Sequence, residues 1–330
     1  MGRNDDYLQP GATDPVHSAT TILGLAARHT DRATDLIDVD ETGGEARAYL
    51  LTGDIVVKVQ RPHRLRPRTS LEKEALILGH LAAPLGAQVP QLIGYGRADV
   101  ADGPAEYLVI GRMPGEPVIR RPVDGPNRRT LLRDLGALLR RLHDVPTGPL
   151  LKSLGDAQVD AQVDHDGTHL RQRLEAGFAD LIDLLKQHPE RWHVPATPHQ
   201  VAAAALTMIP NQFTPVLLHS NPGPTHTFYT ANASLSGLID FGDSYLSHPA
   251  MDLHRWPDPA DRLTLREGYL HDTTPSHDFD AAWTAAMIYT DMAVIASRPR
   301  VATAANADLI ARLDQGSRPP YAQGSSSGRD

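Results

Sequence analysis

Between residues 36 and 60 the apolar positions come in short, β-branched clusters. The stretch LIDVDETGGEARAYLLTGDIVVKVQR is punctuated by Gly43-Gly44 and Gly53-Asp54, both turn signals, so the pattern predicts strands joined by turns. The period then changes. In TSLEKEALILGHLAA, residues 69–83, Leu71, Ala75, Leu78 and Ala82 share one stripe, as in a helix with one buried face. VPQLIGYG (89–96) reads as a short strand opened by proline and closed by glycine. YLVIGRMPGEPV (107–118) reads as a buried strand running into a Pro/Gly link.

Beyond residue 113 the pattern is helical. TLLRDLGALLRRLHDVP (130–146) puts Leu131, Leu135, Leu138, Leu139 and Leu142 on one face and arginines on the other. Residues 170–187 and 258–295 hold further amphipathic helices. The insert DAQVDAQVDHDG (156–167) is a small acidic repeat, too poor in apolar residues to fold alone and lacking the ligand spacing of a calcium loop. It reads as a solvated linker, and GSRPPYAQGSSSGRD at the end as a disordered tail. The expected divisions are an extension with a helix (1–35), a strand-rich lobe (36–113), a link (114–118), a helical lobe (119–315) and the tail (316–330).

Composition narrows the function classes. The 330 residues are 41% apolar and 22% charged, which suits a globular chain. No run approaches the eighteen or so apolar residues of a membrane span, and the first twenty residues contain no apolar stretch that could serve as a signal peptide. A cytoplasmic protein with no membrane partner is expected. The absence of cysteine excludes disulfides, thiolate metal sites and a cysteine nucleophile. A net charge of −8 argues against nucleic acid and suits a cationic small molecule. Lysine occurs at only four positions, which reflects coding bias but singles out Lys58 in its apolar strand. Oligomeric state is not legible.

The most informative stretch is LLHSNPGPTHTFYTANASLSGLIDFGD, residues 217–243. HTFYT and LSGLID are strand-like, and TANAS between them is a turn. A hairpin centred on Ala233 pairs Phe228 with Leu238 and His226 with Asp240, whose side chains would lie about 5 Å apart at Cβ. Both sit at the open end, beside the Pro/Gly-rich loop carrying His219 and Asn221. The competing reading makes His226 a structural histidine, and Gly43-Gly44 reads equally as an ordinary hairpin turn.

These residues resemble the aminoglycoside phosphotransferase family, small-molecule relatives of the protein kinases, and the resemblance extends over roughly 36–315. The family's catalytic loop, H-G-D-x-x-x-x-N or H-x-D-x-x-x-x-H, is followed by a hairpin and I-D-[FW]-G-D. This chain has His219-Ser220-Asn221, His226, and Ile239-Asp240-Phe241-Gly242-Asp243. HPAMDLHRW (248–256) is similar to the family's D-P-A-x-D-L segment, with Asp252 at its second aspartate. The resemblance implies an α+β, bilobal, protein-kinase-like fold: an N-terminal antiparallel sheet lobe with one main helix, and a larger, mostly helical C-terminal lobe.

The resemblance also implies roles. Lys58 would pair the phosphates of ATP or GTP, with Glu74, on the helix's inward stripe, holding it. Gly43 and Gly44 would cover the phosphates, and Gly111 and Met113 belong to the hinge strand and link. Asp240 would hold Mg²⁺, a hard ion that prefers carboxylate oxygen. His226, a softer donor, would contribute directly with Mn²⁺ or else through water. His219 would brace the loop rather than react.

The departures from the pattern concern the acceptor. Asn221 stands where the family has its catalytic aspartate, Pro222 where it has Leu or Phe, and Ser220 where it has Gly. An amide orients a hydroxyl but takes no proton, and a general base contributes about 10²–10⁴-fold. Asp243 is the nearest other carboxylate. The expectation is therefore a nucleotide-dependent phosphotransferase acting on a hydroxyl of a small molecule, an aminoglycoside or other antibiotic among the options, with impaired or rerouted base chemistry. The alternatives are a catalytically silent nucleotide-binding module and, less well supported, a metal hydrolase built on His219, His226 and Asp240.

Overall fold

The computed structural model describes residues 7–67, 69–158 and 164–316. An N-terminal helix, α1 (Ala19–Ala27), is capped by the Ser18 hydroxyl. Strands β1 (Leu36–Asp40), β2 (Ala46–Leu51) and β3 (Ile55–Gln60) follow. Helix α2 (Leu71–Leu85) precedes β4 (Leu92–Val100) and β5 (Gly103–Gly111). The five strands form one antiparallel sheet in the order β1-β2-β3-β5-β4. β4 is longer than 89–96 suggested, because Val100 and Gly103 turn it directly onto β5.

Alternation along β3 decides what each sheet face receives. Ile55, Val57 and Val59 join Tyr49, Tyr107 and Val109 in a core closed by Ile22, Leu25 and Ala26 of α1. Val56, Lys58 and Gln60 take the opposite face, where α2 packs. The register pairs Lys58 with Ala48 and Leu108, so the lysine stands in the middle of the sheet. α2 buries Leu71, Glu74, Ala75, Leu78 and Leu81. Ala82 of the expected stripe is exposed instead, because Leu81 and Leu85 carry the last turns of the buried face.

The N-terminal segment also reaches across the sheet. The Asp14 carboxylate accepts from Arg61 Nη2 at 2.6 Å and from Arg47 Nη2 at 3.1 Å. Both arginines are largely buried on the β2–β3 hairpin.

A two-residue strand, β6 (Glu116–Pro117), crosses to the helical part. There α3 (Gly125–His143) buries all five predicted leucines. It begins five residues earlier than expected, with Pro126 in its first turn, a position that needs no N–H. Helices α4 (Gly148–Gln158), α5 (Thr168–Gln187) and α6 (Pro198–Thr207) follow. Residues 159–163 of the acidic repeat lie outside the described residues, but its flanks correct the linker reading. Residues 156–158 belong to α4, and Asp164 is buried, accepting the N–H groups of His169 and Leu170 at the start of α5.

Strand β7 (Val216–Leu218) pairs with β10 (Tyr245–Ser247), and β8 (Thr227–Tyr229) lies between β6 and β9 (Leu235–Leu238). The β7–β10 pair, which periodicity did not show, closes the ends of the 219–244 stretch. Helices α7 (Pro259–Leu270), α8 (His277–Ser297) and α9 (Ala302–Gly316) complete the described chain. Of the expected tail, Gly316 ends α9 and residues 317–330 lie outside the described residues. Where α7 crosses α3, a Cβ on Gly136 would come within 2.2 Å of the Leu265 carbonyl, so only glycine permits that approach. α8 is buried along most of its length and forms the centre of this part. Among the described residues, no helix is long and apolar enough to cross a membrane.

Candidate active site

The cleft between sheet and helices gathers groups from three segments. Lys58 Nζ lies 2.6 Å from Glu74 Oε2 and 2.7 Å from Asp240 Oδ1. The other Glu74 oxygen accepts the N–H of Phe241 at 3.3 Å. An acid from α2 and one from the IDFGD segment thus share one sheet lysine. Burial alone would lower the Lys58 pKa, but the two carboxylates outweigh it and hold it above its ordinary value. Burial likewise favours a raised pKa at both acids. At Asp240, Lys58 and then His226 overturn that effect and keep the carboxyl well below its usual range. At Glu74 burial prevails over Lys58, and the shift is upward. Asp240 is therefore the firmly ionised partner. Its side chain is 46% exposed, against 1% for Glu74, so it is the carboxylate a ligand can reach.

Asp240 has φ +72°, a left-handed conformation that Asp tolerates better than most residues and that signals a site held by its surroundings. This turn and an irregular ladder correct the hairpin reading. The observed pairs are Thr227 with Leu238, Phe228 with Gly237 and Tyr229 with Leu235, one residue off the predicted register at Phe228. His226 precedes β8, and its carbonyl accepts the Ile239 N–H. The side chains meet nonetheless, with His226 Nε2 3.4 Å from Asp240 Oδ2, because the left-handed turn swings Asp240 out of the alternation.

The loop before β8 is held through its backbone. His219 Nε2 donates to the Ile239 carbonyl at 2.9 Å, while Nδ1 accepts the Asn221 N–H at 3.3 Å. The ring is buried, and desolvation first, then His226, push its pKa down to about 4. The ring is neutral and bonded to backbone on both nitrogens. Behind it, Asp252 accepts the N–H groups of His219 at 2.7 Å and Ser220 at 2.8 Å, and meets His143 Nε2 at 3.1 Å. Ser220 has φ +79°, which explains why the family's pattern has glycine there, and Asp252 holds the strained peptide. Trp256 Nε1 and Thr227 Oγ1 donate to the Pro222 carbonyl.

His226 Nδ1 lies 2.8 Å from the Asn221 carbonyl, an acceptor, so Nδ1 donates there and Nε2 faces Asp240. At 3.4 Å, Nε2 and the carboxylate can share a proton or a cation. Asp243 is placed elsewhere. Thr69 Oγ1 donates to one of its oxygens at 2.9 Å and Arg66 Nη2 to the other at 3.1 Å, while Arg66 also pairs with Glu45 beyond the Gly43-Gly44 turn. No contact brings Asp243 to Asn221 among the described residues. Gly111 ends β5 with its N–H bound to the Gln91 carbonyl, and Met113 is buried at the start of the link.

Sequence reasoning gave no role to Asp252, His143, Trp256, Arg66 or Thr69. Only Asp252 carried a signal, its place in HPAMDL. The others are ordinary residues of helix ends and loops that the fold brings in.

The chain matches the phosphotransferase enzyme family over residues 38–289. None of the curated proteins matches its sequence. Solved structures share its fold. The gentamicin complex of APH(2″)-IIa is 18% identical, covers 91% of this chain and 97% of its own, and has a TM-score of 0.56. Macrolide 2′-phosphotransferase MphH from Brachybacterium faecium is 19% identical over 91% of this chain and 99% of its own, with a TM-score of 0.57. ADP-bound APH(2″)-Ib is 16% identical over 88% and 97%, with a TM-score of 0.54. A five-stranded antiparallel lobe facing a helical one, an Asp240-Phe241-Gly242-Asp243 segment ion-paired to a sheet lysine, and a match over most of the chain agree: the protein belongs to the phosphotransferase enzyme family.

Proposed function

We propose that this chain transfers the terminal phosphoryl group of ATP or GTP to a hydroxyl of a small molecule. The observation that carries this reading is Lys58, held between sealed Glu74 and accessible Asp240. Lys58 neutralises phosphate oxygens, and Glu74 keeps its ammonium in the cleft when Asp240 turns to a ligand. The donor set fits a divalent cation: a carboxylate and an imidazole whose Nε2 faces it. Asp240 and His226 Nε2 would hold Mg²⁺, or Mn²⁺ given the imidazole, with the remaining ligands from phosphate and water. Such an ion neutralises charge developing on the phosphates. The Gly43-Gly44 turn, tied down through Arg61 and through Glu45–Arg66–Asp243, covers the phosphates. Gly111 has its N–H committed, so the base meets its carbonyl and Met113.

On the acceptor side, Asn221 accepts a hydrogen bond from the hydroxyl and orients it. The hydroxyl oxygen bonds to the terminal phosphorus as the bond to the bridging oxygen breaks, releasing nucleoside diphosphate. The proton passes to water or a phosphoryl oxygen, because an amide cannot take it. Phosphoryl transfer depends mostly on positioning and electrostatics, so turnover survives this loss at a reduced rate. Antibiotic acceptors enter the list because neighbours of this fold bind gentamicin and modify macrolides. Asn221 also favours a second reading, a silent nucleotide-binding module. Calorimetry with MgATP and MgGTP, then turnover against amino sugars and antibiotics, separates them. Binding with transfer supports the first, binding without transfer the second, and no binding at millimolar nucleotide removes both.

A further inference from the structure

We infer that Arg255 is an anion contact on the acceptor side of the catalytic loop, selecting acceptors that carry a carboxylate or phosphate near the reacting hydroxyl. The inference rests on the phosphotransferase reading and names its substrate class. Arg255 Nε donates to the Ser220 carbonyl at 2.8 Å, which fixes the guanidinium against the loop one residue from Asn221. Arg255 Cβ and Asn221 Oδ1 lie 3.9 and 3.6 Å from where a Cβ on Gly223 would stand, so the two side chains flank the same glycine. Arg255 Nη1 and Nη2 meet no acceptor among the described residues. Other arginines here spend their forks on acids, as Arg61 does on Asp14 and Arg128 on Asp261.

The surroundings place Arg255 on the helical flank. The groups it bears on are His254 and, in α8, Tyr289. The carboxylate bearing on the same Tyr289 is Asp180 of α5, an exposed acid. Asn221 supplies no charge where the family's pattern has an aspartate. An arginine fork left over and a carboxylate removed both shift this side of the loop away from polycations. A planar fork matches two oxygens of a carboxylate or phosphate.

Calorimetry and thermal shift on the full chain test this, with glycerate, glycerol 3-phosphate, glycerol and kanamycin as probes, each with and without MgADP. The variants are Arg255→Lys and Arg255→Glu. The parent should prefer glycerate or glycerol 3-phosphate over glycerol by about tenfold, and the better of the two identifies the anion. Arg255→Lys should keep part of the preference, Arg255→Glu should lose it and gain affinity for kanamycin, and MgATP affinity should stay unchanged in both. Equal binding of glycerol and the anions, or parent binding strongest with kanamycin, overturns the inference. A loss of MgATP affinity in Arg255→Glu also overturns it, since the arginine would then serve the nucleotide. Failure of the parent to bind MgATP would sink the phosphotransferase reading instead, while the anion preference without nucleotide is read independently.

Discussion

The two flanks of the cleft are built on opposite principles. On one flank, Lys58, Glu74 and Asp240 come from three elements and join through charge. On the other flank, residues 219–222 are held through their backbone, by the His219 ring, the Asp252 carboxylate and the Arg255 guanidinium, and Asn221 at the proposed reacting position is an amide. The charged flank can place and neutralise a polyanion. The Asn221 flank can position a hydroxyl but offers it no base. Binding and chemistry are therefore separable by mutation.

The largest effect should come from placing a carboxylate at position 221. Asn221→Asp should raise turnover on a true substrate by about 10²–10⁴-fold. The double variant Asn221→Asp/Pro222→Leu serves as its control, because the Pro222 carbonyl is anchored by Trp256. A gain confined to the double variant would blame the fixed backbone of proline; no gain in either would make the contrast between flanks irrelevant to rate. Next, Lys58→Met should lower turnover by about 10²–10³-fold and weaken MgATP binding. Unchanged nucleotide affinity would put the phosphates elsewhere. Within the same flank, Asp240→Ala should abolish metal-dependent nucleotide binding, whereas His226→Ala should weaken it about tenfold. Equal and complete loss would make the imidazole as essential a ligand as the carboxylate.

The smallest effect concerns pH. His219 and His248 are buried and neutral, each lowered to about 4 from 6.5, by burial first. Since the unfolded chain binds these protons more readily, the stability they confer is full above about pH 6.5 and is lost as pH falls towards 4. Between pH 7 and 5 each should cost about 2 kcal/mol. Lys58 and Asp240 keep their charges over this range. Urea midpoints at the two pH values, for the parent and for His219→Gln, measure the loop's share. His254, also lowered well below its usual range, adds a decline common to both. An unchanged pH response in His219→Gln would show that the loop is not its source.

What could be read in advance follows from how local each signal is. The β1–β3 strands, the five leucines of α3 and the inward Glu74 are set by period and turn chemistry within a few residues. The IDFGD segment and its partner lysine were legible as motifs, although 182 positions separate Lys58 from Asp240. The hairpin register was not, because one irregular pair and one left-handed residue shift the ladder while leaving composition untouched. The brace of His143 and Asp252 spans 109 positions and carries no period at all. Ala82 failed for a smaller reason: a stripe drawn every three or four residues drifts around the helix, and the last turns bury Leu81 and Leu85.

The contact of Asp14 with Arg47 and Arg61 bears on where an expression boundary can be drawn. The family match begins at residue 38, and a chain started there would lack both Asp14 and α1. Two largely buried guanidiniums would lose a shared counter-charge on the hairpin beside Gly43, and Ile55, Val57 and Tyr107 would face water where Ile22 and Leu25 had been. Such a trimmed protein should aggregate or come out of cells insoluble, its newly bared apolar face presented to its neighbours.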